Sequence, residues 1–361
     1  MEIKKLRLSE DKCFKIHICK SNQTCTQILK VHDSQMKNVK QATYLGDNIS
    51  EMGTIDGTIM LRSQKAIGVV SQIESILSSI CLGSYHFDIA MVLRDALFTN
   101  SIMTNSEVWH NVKLKHVQSF EKSDLMLLKK ILNAHSKTAT EAIFLELGIH
   151  QLRYQLSKRR FMYLWHILQR KPEELIRKIY HAQKCQVNKG DWVKLIEEER
   201  LKYNIKQSDF EISQMSKEQF KRIIKTKVEA HSIQYLKNTA KTHSKSVEIE
   251  KEHFKKKEYF SDRRFSKLDV QLLFNLRTKM FDCKNNFRHQ FQNELSCRIC
   301  KETNSLEDED HLLTCKQLSD DEHDVQFSDV YGGVDQQLKA VKVFKKIQRK
   351  MKIFLDVAEK S

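Results

Sequence analysis

The stretch Cys297-Arg298-Ile299-Cys300, followed by His311 and Cys315, has the spacing C-x2-C-x10-H-x3-C. A C-x2-C turn presents two thiolates to one metal, and a His-x3-Cys pair spans one helical turn and faces one side. Leu312 and Leu313, between the second pair, are placed to pack beneath the metal. Three thiolates and one imidazole complete a tetrahedron. The spacing therefore predicts one structural Zn2+ held by Cys297, Cys300, His311 and Cys315, with no position left for substrate. The competing reading is four unrelated residues whose thiols are buried as small hydrophobes. Two ordered pairs across a polar loop favour the metal.

Around this cluster, the 361-residue chain is 40% hydrophobic and 30% charged, which fits a folded protein with room for two or three domains. Only nine glycines and one proline leave too few turn residues for a β-sandwich or barrel, so the chain is expected to be mainly α. Lys and Arg number 62 against 46 Asp and Glu, a formal excess of +16. That excess points to a polyanionic partner, with nucleic acid the commonest. A membrane partner is not expected, because no apolar run approaches the roughly 20 residues of a span. The charged N-terminus lacks the apolar core of a signal peptide. Nine cysteines, five of them scattered before residue 186, form no disulfide framework. A reducing compartment, nuclear or cytoplasmic, is expected rather than secretion.

The first fifty residues are the part that reads as β. Phe14-Lys15-Ile16-His17-Ile18 alternates apolar and polar, and 28–32 and 42–45 are two further short runs. Three short strands do not make a stable domain, so they read as the edge of a larger sheet, open to pairing with other chains. From about Thr54 the apolar period becomes helical. Ile76, Ile80, Leu97, Leu125, Leu128 and Ile131 belong to long amphipathic segments ending near Asn133. Within 141–170, Phe161, Leu164, Trp165 and Leu168 define one buried face, with Lys158, Arg159 and Arg160 at its start. The aromatic pair reads as core rather than as a base-stacking platform.

Pro172 opens a new helix, Lys189-Gly190-Asp191 is a turn with Asp191 as N-cap, and Ser216 with Gln219 fits a capping box. Phe220, Ile224, Val228 and Tyr235 line one face of the helix that follows. Helical spacing resumes with Val270, Leu273, Phe274, Leu276 and Met280 before the cysteines. The terminal helix sets Leu338, Val341, Phe344, Ile347, Met351 and Phe354 against a basic face. These signals divide the chain into a β fragment (1–53), a helical domain (54–170), a helical extension (171–242), a polar linker (243–269), a zinc-cluster region (270–330) and a basic terminal helix (331–361). The linker carries Lys255, Lys256 and Lys257, either a solvated face or a phosphate contact.

Read in order, these segments resemble the C-terminal portion of a non-LTR (LINE-like) retrotransposon reverse transcriptase. Lys4-Lys5-Leu6-Arg7-Leu8, Asp11-Lys12-Cys13 and Ile16-His17-Ile18 resemble the segment that closes the palm. Tyr44-Leu45-Gly46-Asp47-Asn48-Ile49-Ser50 resembles the primer-grip hairpin, making Tyr44, Leu45 and Gly46 primer-grip-like. Arg94-Asp95-Ala96-Leu97 and Asn105-Ser106-Glu107-Val108-Trp109 resemble thumb helices. Leu145-Glu146-Leu147-Gly148 and Lys158-Arg159-Arg160-Phe161-Met162-Tyr163-Leu164 resemble the region beyond. The Cys-Cys-His-Cys cluster stands where such elements carry a zinc knuckle. The resemblance covers nearly the whole chain, and order and spacing carry it more than any one motif.

The resemblance implies a helical thumb-like bundle with a small N-terminal β fragment and a C-terminal Cys-Cys-His-Cys zinc module. The family activity, RNA-directed DNA polymerisation, needs paired metal-binding aspartates, which should lie upstream of residue 1. The one Asp-Asp pair, Asp320-Asp321, sits in a polar loop without a flanking strand. Lys12, where the family can use a general acid, is then a vestigial or surface lysine. The expectation is a catalytically incomplete remnant that binds RNA or a template–primer duplex through Lys158, Arg159, Arg160, Lys255, Lys256 and Lys257, with no catalytic residues. The alternatives are a helical protein-interaction scaffold, or the C-terminal part of an active polymerase whose palm lies upstream.

Overall fold

The computed structural model describes residues 13–18, 28–31, 34–44, 46–79, 85–186, 191–210, 215–292, 294–302, 305–318 and 324–358. Residues 1–12, His32, Leu45, Ile80, Lys189, Gly190 and the Asp320-Asp321-Glu322 loop lie outside them. The described chain is mainly helical. Six short strands come first: β1 Phe14–Lys15, β2 Lys30–Val31, β3 Ser34–Gln35, β4 Lys37–Asn38, β5 Gln41–Tyr44 and β6 Asp47–Ser50. The helices follow as α1 Asp56–Ser79, α2 His86–Leu93, α3 Asn100–Met103, α4 Leu114–Leu132, α5 Thr140–Leu147, α6 Leu152–Leu168 and α7 Leu175–Cys185. Next come α8 Trp192–Lys202, α9 Lys217–Lys241, α10 Val247–Lys251, α11 Lys267–Arg277, α12 Glu309–Thr314 and α13 Val334–Ala358. No described helix is long and apolar enough to cross a membrane.

The chain forms two compact units that interleave in sequence. Unit 1 comprises Met1–Val69, Thr99–Ser123 and Gln155–Val228; unit 2 comprises Val70–Phe98, Asp124–Tyr154 and Glu229–Ser361. A division into consecutive blocks along the chain therefore does not describe the fold.

In unit 1, β5 and β6 form an antiparallel hairpin with Tyr44 opposite Asp47. Gly46 turns the chain at φ +85°, a region L residues other than glycine avoid. The hairpin is a two-stranded sheet among the described residues, tied to α1 by side chains. The Asn48 N–H donates to Thr58 Oγ1 at 2.8 Å, and Arg62 donates to Asp47 Oδ1 at 3.1 Å. Pairs β1–β4 and β2–β3 add only two residues per strand. The helical core gathers Phe161, Leu164 and Trp165 of α6 against Phe220 and Ile224 of α9, all buried. Trp165 stacks on Phe220 with ring centroids 4.8 Å apart, so the aromatic pair is core. The reciprocal bonds of Ser216 with Gln219 start α9 as the sequence predicts.

The segment 141–170 is two helices. In unit 2, α5 ends at Gly148 with φ +61°, and the Ile149 N–H reaches back to Phe144 O at 3.2 Å, closing a Schellman-type cap. A Cβ at Gly148 would stand 2.2 Å from Lys256 N and 2.4 Å from Lys255 C, so only glycine admits the strand of chain passing over it. That passing chain is the segment 243–269, and it is no linker. Ile249, Tyr259, Phe260 and Phe265 are all buried, and the Lys257 N–H donates to Glu146 O at 3.1 Å. Scattered single apolar residues anchor it where no periodic stripe does. Helix α11 starts with a reciprocal Ser266–Asp269 capping box and buries Val270, Leu273, Phe274 and Leu276. Helix α13 buries Val341, Phe344, Ile347 and Met351, whereas Phe354 is exposed and Leu338 half-buried.

Candidate metal centre and basic groove

The cysteine cluster is built from a turn, a bridge and a short helix, all in unit 2. Ser296 pairs with Leu306 in an antiparallel bridge, and the Cys297 N–H donates to Ser305 O at 3.0 Å. The Lys301 N–H returns to Cys297 O at 3.0 Å with Lys301 at φ +57°, which closes the turn and faces both sulfurs one way. Opposite, Asp308 caps α12 by accepting from the His311 N–H at 2.9 Å. The donor atoms of Cys297, Cys300, His311 and Cys315 lie within 4.8 Å of one another, close enough to hold a metal ion. Cys300 Sγ and His311 Nε2 are 3.5 Å apart. Leu312 and Leu313 are buried beneath them, as the spacing predicts.

Backbone donors converge on the sulfurs. The Ile299 N–H points at Cys297 Sγ at 3.4 Å, and the N–H groups of Glu302 and Gln317 serve Cys300 and Cys315. Such donors favour the thiolate that a metal needs. As bare thiols, Cys297 is pushed up to about 12 and Cys315 upward, mainly by burial. Cys300 moves downward, because its hydrogen bonds from Glu302, Ser305 and the neighbouring thiols outweigh its burial. Taking up a metal must therefore release protons from at least the two buried sulfurs.

Carboxylates buried behind the cluster fasten it to the rest of the unit. Glu307 is fully buried and accepts from the Arg298 N–H at 2.6 Å, from the Arg298 guanidinium at 2.6 and 2.9 Å, and from the Lys284 N–H at 3.1 Å. Glu309 accepts from Asn286 Nδ2 at 2.8 Å. A second, larger network centres on Arg277, which sequence reading missed. Its guanidinium bonds Glu146 at 2.8–3.0 Å, Glu252 at 2.7 Å and Val330 O at 2.8 Å, while Tyr259 donates to Glu146 at 2.7 Å. The Leu-Glu-Leu-Gly motif thus works structurally: Glu146 anchors the network and Gly148 clears its neighbour.

The six basic residues singled out from sequence fall in different surroundings. Lys158 and Arg159 line one groove of about 450 Å³ in unit 1. Arg160 does not join them; it is 2% exposed and paired with Glu199 at 2.6 Å. The run 255–257 is matched by carboxylates, Lys255 with Glu258 at 2.9 Å, Lys256 with Asp88, and Lys257 with Glu252 at 2.6 Å. Two of the primer-grip-like residues are described: Tyr44 is exposed on the hairpin and Gly46 forms its turn.

The groove has Lys158, Arg159, Met162, Tyr163 and His166 of α6 on one side and Lys221, Ile224 and Lys225 of α9 on the other, with Glu107 as the one carboxylate among the described lining residues. Arg159 is braced by donating to Met103 O at 2.8 Å. Lys221 and Lys225 are exposed. They were legible as an i,i+4 pair on the face of α9 flanking Ile224. The apolar stripe drew the reading instead. Compared with known protein families, with curated proteins and with solved structures, the chain matches none of them.

Proposed function

We propose that this chain is a nucleic-acid-binding protein, akin to the thumb and zinc-knuckle portion of a non-LTR reverse transcriptase, that binds RNA or a template–primer duplex without polymerising on its own. The observation that carries the reading is the α6–α9 groove. Four cationic side chains face one carboxylate across an apolar floor of Met162 and Ile224, with Tyr163 at its side. Cationic walls suit a phosphate backbone, and an aromatic flank suits a base or sugar. The resemblance of the hairpin and the helices after it favours RNA over other polyanions. With purified protein, an RNA hairpin and a primer–template duplex should bind at low salt. Lys158→Ala, Lys221→Ala and Lys225→Ala together should weaken both by about tenfold or more, since each lost phosphate contact removes part of an electrostatic affinity. Undetectable binding, or binding indifferent to the triple substitution, leaves the helical interaction scaffold as the better reading.

The metal in this proposal is one Zn2+, held structurally by Cys297, Cys300, His311 and Cys315. Three sulfurs and one imidazole suit zinc, and the 3.5 Å between Cys300 Sγ and His311 Nε2 is close to the edge of a tetrahedron with bonds of about 2.3 and 2.0 Å. Protein purified without chelator should carry one zinc per chain. Cys315→Ser should lose it and open the amides of 294–318 to hydrogen exchange, while the helices of unit 1 stay protected. Zinc-free protein with the segment still protected contradicts the assignment.

A further inference from the structure

A second cleft, of about 560 Å³, lies in unit 2 between the start of the segment after α9 and the turn that precedes the cysteines. Lys137, Lys245, Lys279, Arg288 and His289 line it with Phe287, and no carboxylate is among its described lining residues. The fold keeps these cations together. Lys245 is anchored, its ammonium donating to the Asn286 carbonyl and lying 5.3 Å from the Phe287 ring centre. Arg288 is oriented by donating from Nε to Asn285 Oδ1 at 2.7 Å, which leaves its terminal nitrogens without a partner among the described residues. Glu309, the carboxylate nearest Lys279 at 3.4 Å, is itself buried and shared with Asn286.

Clustered like charges destabilise a fold unless an anion relieves them. Burial lowers the Lys245 ammonium, Cys283 and Glu309 oppose that shift, and Lys137 adds a smaller push in the direction of burial; burial also lowers His135, with Lys137, Lys245 and Lys129 adding to it. A single carboxylate would answer one of the cations. A phosphoryl group brings more charge and several acceptor oxygens, and Lys and Arg donors match it. The volume falls in the range of small-molecule sites, and among the lining residues Phe287 supplies an apolar ring beside the polar groups of Ser244 and Asn285. We infer that this cleft binds a nucleoside phosphate, the phosphates on Lys137, Lys245 and Arg288 and the base beside Phe287. The inference is independent of the groove in unit 1, since it uses none of its residues.

Calorimetric titration of the full chain with ADP, inorganic pyrophosphate and adenosine tests it. ADP should bind below millimolar, pyrophosphate more weakly and adenosine not measurably. Lys137→Ala with Arg288→Ala, both exposed positions, should weaken ADP by about tenfold or more while the melting temperature without ligand does not fall. Lys221→Ala with Lys225→Ala, in the other unit, should leave ADP binding untouched, which separates this site from the groove. No heat with ADP at millimolar concentration, or ADP affinity unmoved by the Lys137 and Arg288 substitutions, overturns the site. Equal affinity for ADP and pyrophosphate overturns the nucleoside part of it.

Discussion

His86 is 4% exposed in unit 2, its ring edge-on to Phe87 at 5.2 Å. Burial first, and the Lys267 ammonium second, lower its imidazolium to about 4 from an ordinary value of 6.5. A group whose pKa falls on folding binds more protons unfolded, so stability rises with pH between the two values. The neutral ring therefore contributes fully above pH 6.5, and its contribution is lost as pH falls from 6.5 toward 4. His86→Phe, which keeps a ring and removes the titration, should flatten that part of the stability profile by about 3 kcal/mol. Denaturant unfolding at several pH values reads it, and an unchanged slope from wild type to variant contradicts it. The same scale explains what sequence gave away about Arg160. Its position four residues before Leu164 puts it on the buried face of α6, so helical periodicity foretold its burial while charge alone argued for the surface. No comparable signal marked Arg277: its partners Glu146 and Glu252 are 131 and 25 residues away.

At the scale of elements, caps and breaks were the legible features. Ser216 with Gln219, and the metal spacing, are local patterns whose partners lie within a few residues or a single loop, so sequence carries them. The break between α5 and α6 was not read, although Gly148 marks it. A helical apolar pattern continues across it from Leu147 to Leu152 and hides the turn. The segment 243–269 failed for the opposite reason. Its buried Ile249, Tyr259 and Phe260 sit on short helical turns, and Phe265 on a bend, which no 3.6-residue period can reveal. Gly148→Ala tests whether that segment is bound as tightly as described. The substitution strains a left-handed backbone and drives a methyl into the backbone of Lys255 and Lys256. It should cost at least about 3 kcal/mol, because backbone strain and an unyielding contact add. A loss under about 1 kcal/mol in chemical denaturation would mean the segment lifts away easily, as a linker would.

At the scale of the whole molecule, the 62 Lys and Arg behind the net charge of +16 are distributed in three ways that composition cannot distinguish. Part is neutralised within the fold, as at Arg160 and Lys257; part solvates helices such as α13; and part gathers in the groove of α6 and α9. The interleaving of the two units was likewise invisible, because it depends on which helices pack across long separations in the chain. The claim that the groove holds a phosphate backbone is tested most directly by the salt dependence of RNA-hairpin binding. Each phosphate contact contributes roughly 0.7 to 0.9 to the slope of log K against log salt. Replacing Lys158, Lys221 and Lys225 by alanine should make that slope shallower by about 2, with the protein still folded. An unchanged slope in the triple variant, or no RNA binding by the wild type at low salt, would contradict it.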